Sequence, residues 1–127
     1  MTIKQVIAWL KIHAPGVSFF NSCIDKNLPQ CVGVYARKNG PEQPQAVGGR
    51  SSYGIKAITV LVHWTINSDT CELKALELLE LFRAAGSSEV IGTTTGYFIA
   101  TNDPVSVGTD DLGIFENVFD VNLYYRK

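Results

Sequence analysis

The sequence predicts a single α+β domain over residues 1–127, with two helices packed on one face of a mainly antiparallel, four-stranded sheet. Three observations predict this class. Apolar residues recur at helical spacing near the start and again in the middle of the chain, and the last dozen residues alternate as a strand does. The chain has 127 residues, 46% of them hydrophobic, which is enough for one core and too little for two. The predicted order is α-β-β-α-β-β, with a long arm between the first two strands.

The first helix is predicted over residues 2–13, with Thr2 as N-cap and Pro15-Gly16 as the stop. Its apolar positions have the offsets of one helical face: Ile3, Val6, Ile7 and Leu10. Residues 17–30 mix apolar residues with repeated turn signals. They are predicted to form a short strand or an ordered loop.

Two strands and a long connection are predicted next. Residues 31–37 alternate as a strand, and residues 53–64 are apolar on both faces in their second half, which is typical of a central strand. Between them lies the arm, residues 38–52, rich in glycine and proline. Irregular connections of this length are usually functional or disordered. The sequence therefore predicts a hairpin with a protruding arm.

The second helix is predicted to be opened by Asn67-Ser-Asp-Thr, with Asp69 and Glu72 at capping-box spacing, and to end before Gly86. Its apolar face is predicted to consist of Leu73, Leu76, Leu79 and Phe82. Residues 96–102 form the third predicted strand, and a loop reaching Gly113 leads to the last strand, residues 114–125. One face of that strand is an apolar row interrupted only by a single polar residue: Phe115, Asn117, Phe119, Val121, Leu123 and Tyr125.

Charge and cysteine content exclude several classes of function. The formal net charge is −1, from 11 basic and 12 acidic residues, so the chain lacks the basic surplus of proteins that bind DNA tightly or attach to anionic membranes. The N-terminal segment has no apolar run typical of a secretory signal, so we expect a cytoplasmic protein. Cys23, Cys31 and Cys71 form no Cys-x-x-Cys pair, and we expect reduced thiols, no metal site and no cofactor.

Two polar groups are candidates for chemistry. A metal or acid/base site could form from the carboxylates Asp110, Asp111, Glu116 and Asp120, but the pattern favours a solvated turn at 110–111 and an outer sheet face for the other two. His63 could pair with Cys31 or Cys71, although a packed histidine is the more common arrangement. Four aromatic residues are expected in the core and at subunit interfaces: Tyr97, Phe98, Tyr124 and Tyr125.

The element order, the arm, the leucine-rich helix after Val60-Leu-Val-His-Trp-Thr-Ile66 and the closing strand resemble a known family. The likeness is to the minor capsid or tail-completion proteins of long-tailed bacteriophages, which include the tail terminators. The resemblance implies a structural protein and not an enzyme. Such a protein forms a ring, typically of six subunits, at the head-proximal end of the tail, where it stops tube growth and joins the tail to the head.

The resemblance also implies partners and a location. The partners would be further copies of the chain, tail-tube proteins and head-connector proteins, with DNA only passing through the channel and no membrane involved. The location would be the virion neck or tail, after assembly in the cytoplasm of the host bacterium. The candidate assembly contacts lie in the arm and in the loop before the last strand: Arg37, Lys38, Glu42, Arg50, Asp110 and Asp111.

An alternative function from a different class stays open. In that alternative the chain is a small ligand-binding or thiol-dependent enzymatic α+β domain, and its chemistry lies around Cys31, His63 and Cys71. Solution mass distinguishes the two, because a ring protein assembles and a small enzyme domain is expected to stay monomeric.

Overall fold

Two helices and seven strands make up the described part of the structure, a computed structural model, and the predicted α+β class is confirmed. In chain order they are α1 (Ile3–His13), β1 (Phe19–Asn21), β2 (Cys31–Ala36), β3 (Tyr53–His63), α2 (Ser68–Ala84), β4 (Glu89–Ile91), β5 (Thr94–Ala100), β6 (Val105–Thr109) and β7 (Phe115–Arg126). The described residues are 2–24, 30–37, 53–85, 89–91, 94–110 and 113–126, with the backbone alone described at 89, 90 and 94. The arm lies outside them.

The seven strands form one mixed sheet. Six lie in the order β1-β2-β3-β7-β5-β4, and β6 also pairs with β7. The β1–β2 pair is parallel and all other pairs are antiparallel. The central pair, β3 and β7, is in register from Tyr53 opposite Arg126 to His63 opposite Glu116. Because β3 occupies one side of β7, β5 and β6 follow one another along its other side.

The predicted sheet of four antiparallel strands was too small. The four predicted strands correspond to β2, β3, β5 and β7, and the structure adds β4, β6 and β1, which lies within residues 17–30, where a short strand or an ordered loop was predicted. β1 and β4 have three residues each, too few for an alternating pattern. β6 lies where Pro104 and Gly108 were interpreted as loop signals, but edge strands tolerate both residues. The parallel β1–β2 pair makes the sheet mixed.

Both helices begin at side-chain caps. Thr2 caps α1 as predicted, in a reciprocal capping box with Gln5. The cap of α2 is Asn67, whose Oδ1 accepts hydrogen bonds from the backbone N–H of Asp69 at 3.0 Å and of Thr70 at 3.2 Å. The predicted cap at Asp69 was therefore wrong by two residues. None of the described helices is long and apolar enough to cross a membrane.

The core lies between the helices and one face of the sheet. Alternate residues of the central strands point toward the helices, namely Val32, Val34, Ile58, Val60, Val62, Phe119, Val121 and Leu123. Three aromatic rings join both helices to β5, with centroid separations of 4.7 Å for Trp9–Phe98 and 4.9 Å for Phe82–Phe98. Burial of each large apolar side chain contributes about 1.5–3 kcal/mol to folding. The apolar row predicted on the last strand faces this core.

The buried stripe of α2 differs from the prediction. It consists of Cys71, Ala75, Leu78, Leu79 and Phe82. Leu73 and Leu76 are exposed, Leu73 by 59%. Leucines on several sides of this helix give more than one apolar stripe, and docking against β7 and β5 selects the one that contains Ala75.

The opposite surface of the sheet, called the far face below, has a different composition. Its residues alternate with those of the core and include Cys31, His63, Thr59, Asp120, Asn122, Tyr124 and Ile99. Cys23 and Ile24 lie close over this face beside β2. A Cβ added at Gly33 would come 2.7 Å from the carbonyl oxygen of Cys23.

Candidate functional site

Arg37 directly precedes the arm, and the structure describes it: its side chain contacts the sheet of its own subunit. Its Nη2 donates a hydrogen bond to Asn122 Oδ1 at 2.6 Å, and its Nη1 lies 3.4 Å from Asp120 Oδ2. Thr59 Oγ1 donates to the other oxygen of Asp120 at 2.7 Å. The Nη1 contact is an ion pair without hydrogen-bond geometry. Arg37 therefore fixes the start of the arm to the far face.

The remaining candidate contacts have different outcomes. Lys38, Glu42, Arg50 and Asp111 lie outside the described residues. Asp110 was predicted to lie in a solvated turn, and this was wrong, because its side chain is only 5% exposed. Its Oδ1 accepts a hydrogen bond from the backbone N–H of Ile114 at 3.0 Å. The Asp110 carboxylate therefore makes its described contacts within its own subunit.

Asp110 is buried because it pairs with His63. The distance from His63 Nε2 to Asp110 Oδ2 is 2.7 Å, and His63 is fully buried. An ionised carboxylate only accepts hydrogen bonds, so this contact places a ring proton on Nε2. The pair joins the turn before β7 to the end of β3, 47 residues away in the sequence.

Cys31 completes a line of three side chains. Its Sγ lies 3.6 Å from His63 Nδ1, and the two residues are directly opposite each other on β2 and β3. In the tautomer with its proton on Nε2, the ring can accept a hydrogen bond from the Cys31 thiol at Nδ1. Thiol, imidazole and carboxylate thus stand in the order of a nucleophile, a base and the group that orients the base. Cys31 is fully buried, so a substrate would reach it only after local opening.

Cys71 does not join this group. It lies on α2, on the core side of the sheet, where its Sγ donates to the carbonyl oxygen of Phe115 at 3.2 Å. Asn117 Nδ2 donates to the same sulfur at 3.0 Å. Burial, the largest influence, raises the pKa of the Cys71 thiol. Asn117, the polar interruption in the apolar row, is therefore the hydrogen-bond partner of a core cysteine.

Acidic and thiol groups also surround Tyr35 on the far face. Burial raises the pKa of the Tyr35 hydroxyl, and the charges of Cys23, Glu116 and Cys31 raise it further. Glu116 lies opposite His63 across the β3–β7 pair. Among the described side chains, no group of three or more His, Cys, Asp or Glu residues is arranged to hold a metal ion.

An exposed apolar border runs along one side of the sheet. The open edge, as we call it, consists of residues 97–100 of β5 and the whole of β6. The described strands pair with it only on its β7 side. All of β6 is exposed, and the exposed fractions are 45% for Ile99, 54% for Val105 and 55% for Val107. Sequence reasoning missed this surface because β6 was predicted to be loop.

A cleft of about 460 Å³ opens near the other end of β7. It is lined by Tyr53, Thr95, Gly96, Tyr97, Tyr124, Tyr125 and Arg126, and is called the tyrosine cleft below. The rings of Tyr97 and Tyr124 are stacked, with centroids 5.3 Å apart and planes inclined by 9°. Tyr97 and Tyr124 were expected at an interface, and both lie on the far face.

Neither a protein-family model nor a curated protein matches the sequence.

Proposed function

We propose that this chain is a structural subunit of a closed, hexameric ring at the head-proximal end of a phage tail, where it terminates tube growth and joins the tail to the head. The observation that carries the proposal is the open edge with its exposed apolar residues. Its partners are further copies, tail-tube proteins and head-connector proteins, in the virion neck or tail. Assembly takes place in the host cytoplasm.

An open edge of this kind favours association between chains. The outer N–H and C=O groups of an edge strand form a template onto which another chain can add. Val105 and Val107 are each about half exposed, and burying what is exposed would contribute roughly 1 kcal/mol apiece. Isolated soluble domains usually protect such an edge with charged residues, proline or a β-bulge. The sequence of β6, Val-Ser-Val-Gly-Thr, contains no charged residue and no proline, and its pairing with β7 has one irregularity, between Ser106 and Gly108.

The two borders of the sheet favour a ring over a simple dimer. At one border of the described sheet lie β4 and the antiparallel open edge, and at the other lies β1, which has three residues and is parallel to β2. A contact between unlike surfaces repeats from copy to copy, and it forms a ring if the rotation closes. A formal charge of −1 also suits a channel that DNA must pass, since each phosphate contact would slow its movement.

The test replaces Val105 and Val107 by Glu together and measures mass by light scattering during size-exclusion chromatography. We expect the wild-type chain to form rings and the double variant to remain monomeric with an unchanged circular dichroism spectrum. The matched control is Ile66→Glu, because Ile66 is 77% exposed but lies outside the sheet. Equal ring formation by all three proteins would show that the open edge is not an assembly contact.

A thiol-dependent activity is the second candidate, favoured by the alignment of Cys31, His63 and Asp110. Its test is alkylation of the native protein by iodoacetamide, with modified peptides identified by mass spectrometry and exposed Cys23 as internal reference. An active thiol predicts labelling of Cys31 at least as fast as that of Cys23, slowed by Asp110→Asn. Labelling of Cys23 alone would eliminate this candidate, because a buried thiol held as a neutral donor does not react.

A further inference from the structure

We propose that the tyrosine cleft binds the segment 41–44 from the arm of a second copy of the chain, in an extended polyproline II conformation. The inference rests on the proposed function, because it assigns a contact between neighbours in the ring. It also identifies which chemical feature of the arm makes that contact.

The cleft offers an aromatic surface with a positive charge at one end. Tyr53, Tyr97 and Tyr124 come from three adjacent strands, β3, β5 and β7, and all lie on the far face. Tyr124 stacks on Tyr97 and lies 6.4 Å from the ring of Tyr53, at an angle of 37°. Tyr53 and Tyr97 are partly exposed, and Arg126 is exposed at the end of β7. Grooves lined by aromatic rings are the usual receptors for proline-containing extended segments.

The arm contains a segment of matching chemistry, Pro41-Glu42-Gln43-Pro44. The chain has five prolines, and only these two are three residues apart. Polyproline II has three residues per turn, so both rings would lie on the same side and could pack against the tyrosines. Glu42, between them, supplies a carboxylate for Arg126. Proline also restricts the free segment, which lowers the entropy lost on binding.

The placement of the cleft favours an arm from a neighbouring copy. The arm starts after Arg37, which is fixed to the far face beside β3, and it ends at Tyr53 on β3 itself. The cleft extends from Tyr53 in the opposite direction, across β7 to Thr95 and Tyr97 of β5. That direction leads toward the open edge, where the ring contact would place the next copy.

The first experiment measures binding without any need for ring formation. A synthetic peptide of residues 38–45 is titrated into the full chain carrying Pro41→Ala and Pro44→Ala, so that the chain's own arm does not compete. We expect saturable binding in calorimetry, and loss of binding when Tyr97→Ala is added. Tyr97 is 41% exposed, so its replacement leaves the core intact. Absence of binding to the unaltered cleft would overturn the inference, even if the wild-type chain still forms rings.

A charge exchange distinguishes the proposed contact between Glu42 and Arg126 from nonspecific binding to the tyrosine rings. Arg126→Glu in the receptor should weaken the peptide by roughly fivefold, as expected for a partly exposed ion pair. A peptide carrying Glu42→Arg should recover that affinity on the Arg126→Glu receptor and lose it on the receptor with Arg126. Equal affinities in all four combinations would refute the assigned contact between Glu42 and Arg126.

Mixing two variants separates a neighbour's arm from the chain's own. The Pro41→Ala, Pro44→Ala chain keeps its cleft, and a Tyr97→Ala chain keeps its arm. If the arm acts between copies, each variant alone should assemble less than wild type, and an equimolar mixture should form dimers with one intact contact. If the peptide binds but the mixture yields no such dimers, the arm occupies its own cleft, and the assignment to a second copy is overturned.

Discussion

Asp110→Ala should destabilise the subunit strongly, because it removes the carboxylate that holds two parts of the chain together. The replacement deletes the 2.7 Å contact with His63 and the 3.0 Å hydrogen bond from Ile114. It also leaves a fully buried imidazole nitrogen without that partner. A hydrogen bond to a charged group contributes about 1.5–3 kcal/mol, and an unsatisfied buried group costs about 1–3 kcal/mol. We therefore expect a loss of about 3 kcal/mol, which would be a large fraction of the stability of a typical small domain.

Urea unfolding followed by tryptophan fluorescence measures this loss, since Trp9 lies in the core. Asp103→Ala is the matched control. It also deletes a carboxylate paired at short distance, 2.9 Å from Arg83, but Asp103 is exposed and its ion pair is screened by water. We expect the control to unfold at the wild-type midpoint. If Asp110→Ala and Asp103→Ala unfold at the same urea midpoint, the contact between His63 and Asp110 does not stabilise the fold and the reasoning fails.

Three further predictions concern the core, the far face and the arm. Burial raises the pKa of the Cys71 thiol above its ordinary value of 9.0, so the folded state holds this proton to a higher pH than the unfolded chain does. The free energy of unfolding should therefore fall as the pH rises above 9. Urea titrations at several pH values should show a smaller fall for Cys71→Ser. Gly33→Ala should lower the free energy of unfolding by about 2 kcal/mol in the same assay, because its Cβ would crowd the carbonyl oxygen of Cys23. An unchanged midpoint would mean that the backbone at Cys23 shifts away from β2 at little cost. Arg37→Ala combined with Arg50→Ala should weaken ring formation in light scattering, because the start of the arm loses its ion pair with Asp120. Unchanged assembly would argue against a role of the arm in ring contacts.

Local patterns predicted the parts of the fold that local physics decides. The C-terminal strand was correct because a period of two over a dozen residues permits only one buried face, and Thr2 was correct because a capping box is complete within four residues. The stripe on α2 was partly wrong because Leu73 and Leu78 are equally apolar. Only docking against the sheet decides which of them is buried.

The candidate site depends on contacts between distant residues, which sequence reasoning cannot place. Cys31 and His63 are 32 residues apart, and His63 and Asp110 are 47 apart. Their meeting follows from the register of β2 on β3 and from the path of the turn before β7. One signal was present in the sequence: a lone asparagine within an apolar row needs a buried partner, and Asn117 has one in Cys71.

The mass and shape of the wild-type chain in solution test the central proposal most directly. The measurement is light scattering coupled to size-exclusion chromatography over a wide range of protein concentration, with negative-stain images of any large species. The proposal predicts a species of six times the subunit mass that appears as a closed ring. A monomer at every concentration would contradict assembly through the open edge of the chain itself.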